Sequence, residues 1–116
     1  MDRLRRDPDL FLVAAADDRI VGAVLGTFDG RRGWVNRLAV APDRQGQGYG
    51  NLLMAELERR LLARGCRKVN LLVTPDNQRV VPFYRQLGYE QDELTFMEKW
   101  LGDDRRQPPL SQRPTA

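Results

Sequence analysis

The stretch 34–50 constrains the fold of this chain more than any other part of the sequence. Residues 35–40 read Val-Asn-Arg-Leu-Ala-Val and predict a buried strand, which Pro42 ends. Three glycines then follow at alternate positions: Gly46, Gly48 and Gly50. Glycines let a backbone approach a ligand closely, and the unpaired amides of a first helical turn attract anions. The stretch therefore predicts a phosphate-binding turn between a strand and a helix.

The segments before this turn predict an antiparallel meander. Strands are expected at residues 10–15, 20–28 and 34–40, joined by short turns at residues 17–18 and 29–33. Gly22 and Gly26 lie inside the second strand, where glycine indicates close packing or a bulge.

The segments after the turn predict a crossover. Residues 51–64 form a helix whose apolar stripe consists of Leu53, Met54, Leu57 and Leu61, and Gly65 ends it. A strand at 68–74 then pairs in parallel, because a strand, a helix and a strand in this order make a right-handed crossover. A shorter helix at 80–87 and a final hairpin of strands 89–93 and 94–101 complete the chain. The predicted fold class is α/β, with a mixed sheet.

The length of 116 residues indicates one domain. We expect it to span residues 10–101, after a short arm or helix remnant at 1–9. The segment 102–116 is rich in proline and polar residues, and we expect it to be disordered.

Composition argues against several classes of chemistry. The formal charge of +3 comes from 19 basic and 16 acidic residues without a basic stripe, so no nucleic-acid partner is expected. The chain has no histidine and one cysteine, Cys66, which argues against a Ser-His or Cys-His catalytic pair and against a metal site. No apolar run reaches the roughly 20 residues of a membrane span, so a cytoplasmic protein without a membrane partner is expected.

The glycine spacing distinguishes between known phosphate loops. A Walker A loop ends in Gly-Lys-Ser/Thr, whereas this turn ends in Gly50-Asn51. A dinucleotide-binding turn has G-x-G-x-x-G spacing, whereas the spacing here is G-x-G-x-G. A plain connection between a strand and a helix needs fewer glycines. The pattern that fits is Q/R-x-x-G-x-G/A, which Gln45, Gly48 and Gly50 satisfy.

With this loop the chain resembles the GNAT superfamily of N-acetyltransferases, in particular small bacterial members similar to the ribosomal-protein alanine acetyltransferases. The segment 38–42 is similar to the family's strand before the loop. The segment 77–89, Asn-Gln-Arg-Val-Val-Pro-Phe-Tyr-Arg-Gln-Leu-Gly-Tyr, is similar to a later family motif. The resemblance covers residues 10–101 and implies a GNAT-like fold.

The resemblance implies that acetyl-coenzyme A is the co-substrate. Its pyrophosphate would bind the backbone of the loop and of the following helix start, which comprises Gln45, Gly46, Gln47, Gly48, Tyr49, Gly50 and Asn51. Charge-assisted amide contacts of this kind would make a β-carbon unwelcome at Gly48 and Gly50. The pantetheine arm would pair with Leu38, Ala39 and Val40, and the amide of Leu38 would polarise the thioester carbonyl.

The implied reaction is direct attack of an amine on the acetyl thioester, the amine belonging to a small molecule, a protein N-terminus or a lysine. Tyr84 matches the family's general acid, and Asn77 would either bind the pantetheine or cap the following helix. No general base is assigned, since Asn36 could orient a water and Asp29 or Glu93 could act from a distance. The alternative function is a module that binds acetyl-coenzyme A for structural or regulatory ends without turnover.

The resemblance is weaker at the start of the chain. The family fold begins with a strand and two helices that form one wall of the acceptor site, and nine residues precede the first strand here. A truncated start or a second subunit would account for this, and a homodimer would cover an exposed edge near residues 10–15. Sedimentation distinguishes these two explanations, because a stable monomer contradicts the dimer.

Overall fold

The structure is a computed structural model that describes residues 8–102. Two compact units divide the chain between Leu72 and Val73. The predicted tail lies outside the described residues except for residue 102, and so does the predicted arm except for residues 8 and 9. Residues 8–10 form a single short 3₁₀ turn, Pro8–Leu10.

The first unit contains a four-stranded sheet in the order β1-β2-β3-β4. The strands are β1 (Phe11–Ala16), β2 (Arg19–Phe28), β3 (Gly33–Val40) and β4 (Val69–Leu71). The first three pair antiparallel, and β3 pairs in parallel with β4. The predicted meander, crossover and mixed sheet are confirmed. β4 is shorter than the predicted strand at 68–74.

Helix α1 (Tyr49–Ala63) covers one face of this sheet. It begins two residues earlier than predicted, and its predicted apolar stripe is buried: Leu53, Met54, Leu57 and Leu61. Each of three glycines on the strands faces one leucine of the stripe: Gly22 faces Leu53, Gly26 faces Leu57 and Gly33 faces Leu61. The glycines therefore let the helix lie close to the sheet. The helix ends at Gly65 in the left-handed conformation (φ +92°), as predicted.

We expect Gly26→Ala to destabilise the protein by about 1–3 kcal/mol, because it overfills a packed core. A β-carbon at Gly26 would lie 2.7 Å from Cδ1 of Leu57 and 3.2 Å from the carbonyl oxygen of Trp34. Leu57 is fully buried, so a shift of its side chain would disturb its packed neighbours. Chemical denaturation measures the loss. The double variant with Leu57→Ala should lose less than the sum of the two single variants, and a strictly additive loss would contradict the contact.

Among the described residues, strand β1 lies at an open edge of the sheet. It pairs there only with β2, and Phe11 and Val13 are 42% and 47% exposed, in alternation with the buried Leu12. The expected exposed edge near residues 10–15 is therefore present. Its coverage by a second copy stays a prediction.

The second unit contains a 3₁₀ segment (Pro75–Val80) followed directly by the short helix α2 (Val81–Gln86). Gly88 follows α2 at φ +96°. The predicted final hairpin is wrong for the described residues, because no strand is present between 89 and 101. This segment has no glycine, proline or asparagine to make a tight hairpin turn. Without such a turn, the two halves of the segment do not pair with each other as strands.

Candidate functional site

Strand β3 has a free edge along its second half. β4 pairs only with Gly33, Trp34 and Val35. On the other side, the pairing with β2 continues to Val40. In the described part of the chain no strand therefore pairs with the outer edge of β3 from Asn36 onwards. Such an edge offers backbone donors and acceptors to an extended ligand.

A bulge in β3 sets which amides face this free edge. Leu25 pairs with Arg37 and Gly26 pairs with Val35, so Asn36 is the extra residue. Beyond the bulge, the amide of Ala41 donates to the carbonyl oxygen of Val21 on β2 at 2.7 Å. Because amide directions alternate along a strand, the amide of Leu38 points away from β2, to the free edge. This is the orientation that the predicted role of Leu38 requires.

The glycine turn leads from this edge into α1. Gly46 and Gly48 have φ of +79° and +92°, a region in which other residues are strained. Gly48 is the N-cap of α1, and no side chain caps the helix. The first intrahelical bond runs from the amide of Leu52 to the carbonyl oxygen of Gly48. The amides of Tyr49, Gly50 and Asn51 consequently have no partner within the helix.

Gly50 differs from the other two glycines of the turn. It lies inside α1 and is not among the residues with positive φ. Its helical conformation does not require glycine, which has a low helix propensity. A ligand that closely approaches the first helical turn would explain it. The turn as a whole fits a pyrophosphate, because it combines free amides, a positive helix end and no acidic residue in the first turn.

The two glutamines of the turn have structural contacts that the sequence did not indicate. The side-chain amide of Gln45 donates to the carbonyl oxygen of Val40 at 3.0 Å, and that of Gln47 donates to the carbonyl oxygen of Asp43 at 3.3 Å. Gln45 thus ties the turn to the end of β3. This hydrogen bond within the loop accounts for the glutamine at the first position of the Q/R-x-x-G-x-G/A motif.

Asn77 lies in the 3₁₀ segment of the second unit, at non-helical backbone angles (φ −123°, ψ 27°). Neither this segment nor α2 has a side-chain cap, so the helix-capping role considered for Asn77 is wrong. Its side-chain oxygen Oδ1 is buried and has no hydrogen-bond partner among the described residues. A buried acceptor without a donor is costly, which fits a site completed by a ligand's N–H group.

Tyr84 lies at the centre of an aromatic cluster in α2 and the following turn. Its ring packs edge-to-face on Phe83 at 5.1 Å and on Tyr89 at 5.7 Å. Partial burial raises the pKa of the phenol above its ordinary value of 10.0. The side chain is therefore a protonated donor at neutral pH. Its predicted role as the general acid stays a prediction.

The candidate general bases differ in their suitability. The Asp29 carboxylate accepts the backbone amides of Arg32 and Arg31, and these bonds lower its pKa, which makes it a weak base. The side-chain amide of Asn36 donates to Oγ1 of Thr27 at 3.0 Å. Its carbonyl oxygen remains the group that could orient a water. Glu93 is exposed in the second unit.

Neither a metal-binding cluster nor a membrane-spanning helix is present among the described residues. Between residues 8 and 102, no group of three or more histidine, cysteine or acidic side chains could hold a metal ion. Over the same range, none of the helices has the length and apolar character that crossing a membrane requires.

A free strand edge that leads into an uncapped helix start suits an extended ligand that carries phosphate groups. The family model "Acetyltransferase (GNAT) family" matches residues 1–89. An acetyltransferase of Sodalis glossinidius is 46% identical over 103 residues, which cover 88% of this chain and 72% of the relative. The chain therefore belongs to the GNAT family of acetyl-coenzyme-A-dependent N-acetyltransferases.

Solved structures agree on the fold. A crystal structure of Ard1 from Thermoplasma volcanium is similar with a TM-score of 0.70 and 25% identity, over 75% of this chain and 60% of that one. This chain thus spans three fifths of that structure's length. The structure of AAC(6')-Iy, in complex with the bisubstrate analogue CoA-S-monomethyl-acetylneamine, has a TM-score of 0.69 over 84% of this chain and 78% of that one. At 19% identity, this second likeness supports the fold alone.

Proposed function

We propose that this protein transfers the acetyl group of acetyl-coenzyme A to a primary amine of a small molecule or of a protein chain. The main observation in its support is that the free edge of β3 leads directly into the uncapped start of α1. A strand edge followed by an anion site matches a ligand with an amide-bearing arm and a pyrophosphate. Family membership supports acetyl transfer, whereas the choice of an amine acceptor belongs to the proposal.

Each residue has a distinct role in this proposal. The amides of Tyr49, Gly50 and Asn51 would bind the pyrophosphate, and the edge from Leu38 to Val40 would bind the pantetheine arm. Gln45 would keep the loop against β3 through its bond to Val40. Asn77 would accept a hydrogen bond from the arm through Oδ1.

The chemistry follows from two donors. When bound, acetyl-coenzyme A supplies an activated acetyl group and a good leaving group. The amide of Leu38 would donate to the thioester carbonyl oxygen, which makes its carbon more electrophilic. The amine nitrogen attacks that carbon, a C–N bond forms and the C–S bond breaks. Tyr84 would give its proton to the departing sulfur, whose thiol titrates near ~8.5. The amine would release its surplus proton to water, and the phenolate of Tyr84 would take a proton back from water.

A thiol-release assay tests the proposal. The protein is mixed with acetyl-coenzyme A and a panel of aminoglycosides, polyamines and peptides with free N-termini or lysines. At least one amine should accelerate release of free thiol, with mass spectrometry showing an added acetyl group. Aminoglycosides belong in the panel because the AAC(6')-Iy structure carries a neamine-derived analogue.

Two results would contradict the proposal in different ways. Tight binding of acetyl-coenzyme A with no thiol release for any acceptor would indicate the module without turnover. Absence of binding to coenzyme A would contradict the assignment of the β3 edge and the α1 start.

A further inference from the structure

The turn between β1 and β2 carries two acidic residues. It consists of Asp17 and Asp18, whose φ angles are +53° and +61°. Two left-handed residues are typical of the tightest hairpin turns, where asparagine, aspartate and glycine are preferred. Aspartate carries a carboxylate in addition, and that of Asp17 binds the guanidinium of Arg44. The turn therefore holds a charged contact that its conformation alone does not require.

A second ion pair runs between the same two segments with opposite polarity. Arg19, at the start of β2, binds the carboxylate of Asp43. Asp43 and Arg44 belong to the 3₁₀ turn Pro42–Arg44, which joins β3 to the glycine turn. Each segment thus contributes one cation and one anion. Such a crossed arrangement specifies the alignment of the two segments better than one pair does.

The contacts continue from this 3₁₀ turn into the phosphate-binding turn. The carboxylate of Asp17 raises the pKa of the Arg44 guanidinium through their hydrogen bond. The bond from Gln47 to the carbonyl oxygen of Asp43 connects the same 3₁₀ turn to the middle of the loop.

We propose that the β1–β2 turn positions the phosphate-binding turn through the ion pairs Asp17–Arg44 and Arg19–Asp43, and thereby increases the affinity for coenzyme A. This inference rests on the proposed function, since it assumes that the loop binds coenzyme A. The four side chains are positioning residues, because they act through the backbone of residues 45–51. The pairs are exposed at the surface, so their effect depends on ionic strength.

Equilibrium binding of coenzyme A tests the inference. Asp17→Asn removes the charge, and asparagine tolerates positive φ. Arg19→Gln removes the second pair. At low ionic strength each substitution should raise the Kd for coenzyme A about two- to five-fold, the range expected for exposed ion pairs. The ratio of variant to wild-type Kd should fall towards one in about 0.5 M salt, because the pairs are then screened. The KM for acetyl-coenzyme A should rise while kcat stays within about two-fold.

Exchanging the charges of the Arg19–Asp43 pair tests whether the ion pair itself supports binding. Arg19→Asp and Asp43→Arg should each weaken binding, and the double variant should recover most of the wild-type affinity because the pair is restored. A general loss of structure would not be reversed in this way.

Two control variants separate positioning from stability. Asp18→Asn changes the neighbouring residue of the same turn, and in the described part of the chain Asp18 has no ion-pair partner. Glu56→Gln removes the ion pairs that Glu56 makes with Arg59 and Arg60 on α1. Both variants should bind coenzyme A as the wild type does, even where Glu56→Gln lowers the melting temperature.

The outcomes distinguish the inference from the proposed function. If the wild type binds coenzyme A and the Asp17 and Arg19 variants bind equally well, the inference is wrong and the proposed function stands. A charge-reversed double variant that binds no better than its two single variants would also overturn the inference. If the wild type does not bind coenzyme A, the proposed function itself fails.

Discussion

Replacing Gly48 by alanine should lower the affinity for coenzyme A about ten-fold or more while the protein remains folded. Gly48 is the N-cap of α1 at φ +92°, and a β-carbon there is strained by about 1–2 kcal/mol. The chain relieves this strain by rotating the backbone that orients the first amides of the helix. Each charge-assisted amide contact is worth about 1.5–3 kcal/mol, and 1.4 kcal/mol corresponds to a factor of ten. Isothermal titration with coenzyme A measures the change.

Gly30→Ala is the matched control for this prediction. Gly30 also has φ +92°, and a β-carbon there would also meet no atom within 4 Å, but it lies in the turn between β2 and β3. Both variants should therefore lose similar amounts of stability, and only Gly48→Ala should lose affinity. Equal affinities in the two variants would show that Gly48 serves the backbone conformation and not the ligand.

Replacing Tyr84 by phenylalanine should lower kcat by about 10²-fold or more and leave the Kd for coenzyme A within about two-fold. General acids contribute factors of about 10²–10⁴, and the substitution removes the proton donor while it keeps the ring in the aromatic cluster. Steady-state kinetics at saturating acetyl-coenzyme A measure kcat. Tyr89→Phe removes a hydroxyl from the neighbouring ring and should retain the wild-type kcat.

The pH dependence provides a second test of Tyr84. Burial raises the pKa of its phenol above 10.0, so the proton donor is present throughout the range from pH 7 to pH 10. In the wild type, ionisation of the Tyr84 phenol should therefore reduce kcat only as the pH rises through the raised pKa of this group. The same shift stabilises the folded state fully below pH 10, and this contribution is lost at higher pH, where the unfolded chain ionises first. A fall in kcat near pH 8 that Tyr84→Phe abolishes would place the pKa of Tyr84 far lower and contradict the structure.

Most of the first unit was predictable because its signals are local. The leucine stripe and the stop at Gly65 predicted α1 to within two residues at its start. The three strands of the meander were predicted to within one residue at each end. The second unit was less predictable. The final hairpin at 89–101 is absent, since alternating apolar residues make a strand only where another strand can pair with them.

In the candidate site, too, some features were predictable from the sequence and others were not. The glycine spacing indicated a phosphate turn, and the motif pointed to Leu38, Asn77 and Tyr84. Gly26 indicated close packing or a bulge at this point, but the sequence did not show that Asn36 would be the extra residue or that the amide of Leu38 would face the free edge. The unpaired oxygen of Asn77 left no signal in the sequence. Both depend on the register of neighbouring segments.

The sequence by itself determined the order of elements in the first unit, the buried stripe of α1 and the glycine-rich turn before it, because hydrophobic period and glycine position act over a few residues. Only the tertiary structure decided where β4 stops pairing with β3, and which backbone groups are thereby left free. It also joined Asp17 to Arg44, 27 positions apart in the chain. Contacts of this kind arise from the packing of distant segments, which no local pattern encodes.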